Sequence, residues 1–119
     1  MKIPKLAIDK ESKNLYHIYL FYVEEKWWAF GHSAHYLSIM YPELEDTEVI
    51  SEDYTELIPC VYIPETCLLN LSAYYNTLVS DTYIQVSAPP TAYSRRNSYD
   101  EWCGKLIVNK TKLHILKHP

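Results

Sequence analysis

The run Leu15-Tyr16-His17-Ile18-Tyr19-Leu20-Phe21-Tyr22-Val23 constrains this chain more than any other stretch. It is dense in aromatic and β-branched residues, which suit a pleated, packed surface. Glu24-Glu25 breaks it, and Lys26-Trp27-Trp28-Ala29-Phe30 resumes the same character before Gly31. Two such runs separated by two polar residues read as an antiparallel hairpin over residues 16–30.

Helical spacing follows at once. Ala34, Leu37 and Met40 recur every third position, with Tyr41 beside them. His32 or Ser33 suits the cap, and Pro42 stops the run, so a helix is predicted over 32–41. Residues 43–56 hold Glu43, Glu45, Asp46, Glu48, Glu52, Asp53 and Glu56 with no base among them. That reads as a solvated acidic connector, with Val49-Ile50 as a candidate short strand. Leu57 to Ile63 is apolar and extended, and Pro59 demotes it to an edge strand or an irregular piece. Pro64 and Glu65 suit a helix start. Leu68, Leu71, Tyr75 and Leu78 then form the buried stripe of a helix over 66–79.

Thr82 to Ser87 reads as a strand that Pro89-Pro90 ends. Residues 88–101 are polar with little periodicity and read as a loop. Leu106 to Val108 and Leu113 to Leu116 look like two short strands around a turn at 109–112. The first 14 residues are polar, contain Pro4, and look like a loosely docked arm. Strand pairs mixed with two helices predict an α+β domain with a mixed sheet and flanking helices.

The chain has 119 residues, a length for one domain. Hydrophobic residues make up 48% and charged residues 22%, which excludes an intrinsically disordered chain. Two glycines argue against a glycine-lined phosphate loop. Tyrosine supplies 12 of the 17 aromatic residues, an unusual weighting. The start shows no apolar secretory core, and no stretch approaches ~18 consecutive apolar residues. With Cys60, Cys67 and Cys103 an odd set, this reads as a cytoplasmic protein with reduced thiols and no membrane association.

No catalytic signature stands out. There is no nucleophile elbow, Walker loop or His-Glu-x-x-His. His32-x-x-His35 puts two imidazoles near one helix start, but no Cys-x-x-Cys or further ligand motif completes a zinc set. The reading is exposed histidines, no metal, no cofactor and no enzyme activity.

Charge is uneven. The net charge is −4, yet residues 95–119 carry Arg95, Arg96, Lys105, Lys110, Lys112 and Lys117 against Asp100 and Glu101. A basic end of this kind either tracks phosphates or is an ordinary solvated face. Trp27-Trp28 is the most informative pair. Strand neighbours point to opposite faces, so one ring is expected inside and the other outside. An outer Trp either stacks on a base or anchors a protein partner.

Residues 16 to about 90 resemble the N-terminal mismatch-binding domain of MutS-type DNA mismatch-repair proteins. The carriers are Tyr19 to Ala34, which is similar to the family's apolar strand, Gly-Asp-Phe-Tyr-Glu-Leu-Phe turn and helix. Pro59-Cys60-Val61-Tyr62-Ile63-Pro64 resembles its Pro-Met-x-Gly-Val-Pro strand, and Tyr83-Ile84-Gln85-Val86 its Tyr-Lys-Val-Ala strand. The family reads a mismatch with Phe-x-Glu, and those positions hold Lys26 and Trp28 here, so the resemblance implies that Trp28 is the outer ring. An indole only donates a hydrogen bond. The resemblance implies a stand-alone relative of that domain, from a bacterium or a mobile element, without the family's ATPase, clamp and connector domains. It implies a non-enzymatic module associated with DNA through Lys26, Trp27 and Trp28, with phosphate contacts from Arg95, Arg96, Lys110 and Lys112. The alternative from the same residues is a protein-interaction module that uses the aromatic surface and the acidic loop.

Overall fold

The computed structural model describes residues 1–44 and 58–106 in full, and the backbone alone of strand 46–50 and of residue 57. In chain order the elements are α1 (Lys5–Ser12), β1 (His17–Val23), β2 (Lys26–Phe30), α2 (Gly31–Met40), β3 (Asp46–Ile50), β4 (Leu57–Ile63), α3 (Glu65–Tyr74), β5 (Thr77–Val79), β6 (Ile84–Ser87) and α4 (Pro90–Tyr93). A 3-10 turn at Arg96–Ser98 leads into helical residues 99–106. The fold is α+β.

The hairpin forms as the sequence predicts. Leu20 lies opposite Ala29, Phe21 opposite Trp28 and Val23 opposite Lys26. Glu24 and Glu25 take φ of 52° and 66°, the two left-handed positions of a two-residue turn that glycine and asparagine favour. Replacing Glu24-Glu25 by Asn-Gly should therefore raise stability by about 1 kcal/mol. A thermal melt that does not move upward would contradict this account of the turn.

One six-stranded sheet has the order β3-β4-β2-β1-β6-β5. Every paired set among the described strands is antiparallel, where the sequence pattern predicts a mixed sheet. The reason is the crossover. β2 and β3 run in the same direction across α2, but β4 slots between them and opposes both. Pro59 therefore does not force an edge position. The β2 ladder stops at the Phe30–Cys60 pair, one residue before the proline's missing N–H, and β4 is internal.

The sheet buries residues on both faces. On one, Ile18, Leu20, Ala29, Val61, Ile63 and Val86 meet Ala34 and Leu37 of α2, Leu71 of α3 and Ala92 of α4. On the other, Phe21, Phe30 and Cys60 meet Ile3 and Ala7. The N-terminal segment is thus not a loose arm. Ile3, just ahead of α1, and Ala7 within it are both buried against the sheet.

Three further boundaries differ from the sequence reading. α3 ends at Tyr74, because Thr77, Leu78 and Val79 pair with Val86, Gln85 and Ile84 as β5. Strand pairing overrides the helical stripe, and Leu78 is left 67% exposed. The segment 88–101 is not a loop: Pro90 opens α4, and helix resumes at residue 99. Leu106 is helical rather than the start of a strand. The expected strands over 107–108 and 113–116 lie outside the described residues. The acidic connector 43–56 contains β3 at Asp46–Ile50, which includes the candidate strand at Val49-Ile50.

α2 begins at Gly31, with φ +58°. A Cβ there would sit 3.2 Å from Cγ of Glu11. Gly31→Ala combines a left-handed backbone with that contact, so it should cost about 1–2 kcal/mol, read as a lowered denaturation midpoint. Tyr41, before Pro42, has left the helical region at φ −131° and ψ 79°, as the residue preceding a proline tends to do.

Candidate functional site

Strand alternation places Lys26, Trp28 and Phe30 on the face that α1 partly covers. α1 lies over the Phe30 end. Toward the hairpin tip the face opens, and Trp28 faces Tyr62 across the β2–β4 pair. Their ring centroids are 5.9 Å apart at 57°. The Trp28 indole N–H donates to the Val23 carbonyl at 3.2 Å. Lys26 Nζ lies 5.0 Å from the Tyr62 ring centroid, a cation–π contact. Tyr62 is 41% exposed. The result is a small aromatic and cationic surface, edged by the glutamates of the turn. Tyr62 is the member that sequence reasoning missed, because only the β2–β4 register brings it to Trp28.

Trp27 goes to the other face. Its ring packs on Tyr22 with centroids 5.2 Å apart and borders the main core. The two tryptophans therefore diverge as alternation demands. Neither is wholly inside, though, and each is half-buried against a different core. Trp27→Ala should cost about 2–3 kcal/mol and Trp28→Ala about 1–2, both below the cost of a fully buried ring. Equal losses in urea melts would place the two rings in equivalent packing and contradict this arrangement.

The basic residues are not beside the Trp28 surface. Arg95 and Arg96 follow α4, in the helical layer that packs with α2 on the Trp27 side of the sheet. The Arg96 Nε–H donates to the Asn14 carbonyl at 3.3 Å. Arg95 is exposed and lines a cavity of about 390 Å³ against α2. The sheet thus separates Lys26 and Trp28 from Arg95 and Arg96. Lys110 and Lys112 lie outside the described residues.

The histidines of α2 are not the exposed pair that their position predicts. His35 is 2% exposed and His32 is half-buried. α2 is roofed by the segment 96–106: His32 lies on Tyr99 with centroids 4.0 Å apart, and His35 on Trp102 at 5.0 Å. Burial first, then the positive charge of Arg96, push His32 down to about 4, so it is neutral at pH 7. Ser98 Oγ lies 3.4 Å from His35 Nε2. Among the described residues, no three His, Cys, Asp or Glu side chains gather into a metal set.

A polar knot lies beneath this layer. The Glu11 carboxylate accepts the Ser33 backbone N–H at 3.0 Å and the Ser33 hydroxyl at 2.5 Å. Asn14 Nδ2 donates to it at 3.1 Å. The Ser33 oxygen in turn accepts the Tyr19 N–H at 2.8 Å. Glu11 of α1 so caps the N-terminus of α2, where a carboxylate meets both orphan donors and the helix dipole. Burial nevertheless raises Glu11 to about 7, against the opposing hydrogen bonds. The sequence offers little sign of this, since 22 residues separate Glu11 from Ser33.

Comparison with protein-family models, with curated proteins and with solved structures gives no match. Among the described residues, no helix is long and apolar enough to cross a membrane.

Proposed function

We propose that this chain is a non-enzymatic binding module that engages another protein through the open sheet face bearing Lys26, Trp28 and Tyr62. The observation that carries this reading is the position of Glu24 and Glu25. Two carboxylates stand at the tip of that face, in left-handed conformations that cost stability. A strained pair of like charges beside an aromatic surface suits a partner that presents a cation next to an apolar side chain. The same geometry weighs against phosphate tracking by Arg95 and Arg96 together with this face, because they lie across the sheet from it.

A photo-crosslinking residue in place of Tyr62 tests this reading. One discrete protein adduct is expected, lost on Trp28→Ala and on Glu24→Lys with Glu25→Lys. It should be absent when the crosslinker replaces exposed Ser94. An adduct indifferent to these substitutions overturns the proposal.

A DNA-associated module is the second reading. It is favoured by Lys26 and Trp28 sharing one face, as the resemblance to the mismatch-binding domain implies. Titration against mismatched, duplex and single-stranded DNA at two salt concentrations separates the two. Binding that weakens steeply with salt and needs Trp28 would replace the protein reading.

A further inference from the structure

The cavity beside Arg95 has a different chemistry from the sheet face. At about 390 Å³ it is at the small end of ligand pockets and far larger than one inorganic anion needs. α2 forms one wall and helical residues 99–106 another. The charges on its lining are Arg95, Lys105 and Glu101. Glu101 pairs with Lys105 at 3.5 Å on the exposed surface, a contact that contributes little and yields readily. The Arg95 guanidinium has no hydrogen-bond or ion-pair partner among the described residues. A net positive pocket, in a chain of net charge −4, is thus centred on one unengaged fork of donors.

The rest of the lining is suited to an organic body. Trp102, Ile39 and Pro42 supply aromatic and aliphatic surface. The Ser98 hydroxyl also lines the cavity, and its proton is already donated to the Arg95 carbonyl at 2.7 Å. Its oxygen therefore offers an acceptor, matched to a ligand hydroxyl rather than to an anion. Guanidinium recognises phosphate in a bidentate fork, and an indole surface suits a planar base.

We infer that this cavity binds the phosphate end of a nucleotide, with Arg95 and Lys105 on the phosphate and Trp102 against the base. Arg95 supplies the fork and Lys105 a second point charge. The phosphate end belongs either to a free mononucleotide or to the end of a nucleic-acid strand, and the recognition chemistry is shared. The inference does not depend on the sheet face.

Isothermal titration of the full chain with AMP, inorganic phosphate and a 5′-phosphorylated dinucleotide tests it. Saturable binding of AMP is expected, with inorganic phosphate at least tenfold weaker. Arg95→Gln should weaken AMP binding at least tenfold and Lys105→Gln severalfold. Glu101→Gln should tighten it, because it removes the competing carboxylate. All three positions are exposed, so the fold is expected to survive, and thermal melts check that it does. Trp28→Ala should leave AMP binding unchanged, which separates this site from the sheet-face proposal. Binding of the dinucleotide but not AMP would assign the phosphate to a strand end. No saturable binding of AMP or dinucleotide, or affinity indifferent to Arg95→Gln, overturns the inference.

Discussion

Tyr36→Ala should remove about 3–5 kcal/mol of stability, the largest loss expected of any single truncation among the described residues. Tyr36 is 0% exposed and is the bulkiest fully buried side chain among the described residues. Its ring lies in the main core with Leu37 and Ala34, and His32 and His35 flank it with centroids 6.3 and 6.2 Å away. Its hydroxyl donates to the Leu15 carbonyl at 2.6 Å. Truncation leaves a cavity that these neighbours fill only in part, and it removes the donor that the Leu15 carbonyl now has. A small domain holds roughly 5–15 kcal/mol in total, so Tyr36→Ala should be largely unfolded or close to it at 37 °C. Tyr36→Phe keeps the packing and loses only the hydrogen bond, for about 1–2 kcal/mol. Urea denaturation of both variants gives the comparison. If Tyr36→Ala costs no more than Tyr36→Phe, the ring is not packed as described.

The hairpin and α2 were legible because their signals are local. Alternation, a two-residue polar break and a spacing of three are properties of neighbours, and tertiary contacts reinforced them. α1 was hidden by its charges. Three lysines, two acids and Pro4 among the first 11 residues mask a buried pair, Ile3 just ahead of α1 and Ala7 within it. The end of α3 is not legible in the sequence, because Leu78 continues a helical spacing and only the pairing of β5 with β6 rules it out. The segment 99–106 carries Tyr99, Trp102 and Leu106 at helical spacing, yet the surrounding polar residues conceal it.

The candidate sites show the same division. That Trp27 and Trp28 diverge follows from the geometry of a strand. Which face α2 covers does not, and this decides whether Arg95 and Arg96 lie beside Trp28 or across the sheet from it. Tyr62 joins Trp28 only through the β2–β4 register, between strands some 30 residues apart in sequence. A short chain gives such long-range facts no local trace, so charge counted along the sequence grouped residues that the fold keeps apart.

The contribution of Glu11 to stability should fall as pH rises from about 5 to 7, and Glu11→Gln should abolish that contribution. In the folded state Glu11 titrates near 7, raised from its ordinary 4.5 chiefly by burial. Below both values the carboxyl is protonated in either state and contributes nothing to the pH dependence. Between them the unfolded chain releases its proton while the folded chain keeps it, so the unfolded state gains. Above about 7 the penalty is complete, on the order of 3 kcal/mol by proton linkage. His32 acts in the opposite sense. Its folded value of about 4 lies below the ordinary 6.5, so its contribution to stability rises with pH over that interval. The wild-type profile alone therefore mixes two opposed titrations, and the difference between variants isolates one. Glu11→Gln keeps an oxygen to accept the Ser33 N–H and cannot ionise. It forgoes the second acceptor now used by the Ser33 hydroxyl. It should thus be the less stable protein at pH 5, where the protonated Glu11 carries no charge to bury. At pH 8 the gap should close or reverse, because only the wild type then holds a buried carboxylate against α2. Urea titrations of both proteins at half-unit steps from pH 5 to 8 measure this. A constant difference across that range would mean that Glu11 is ionised throughout, with the N-terminus of α2 and Ser33 outweighing the cost of its burial.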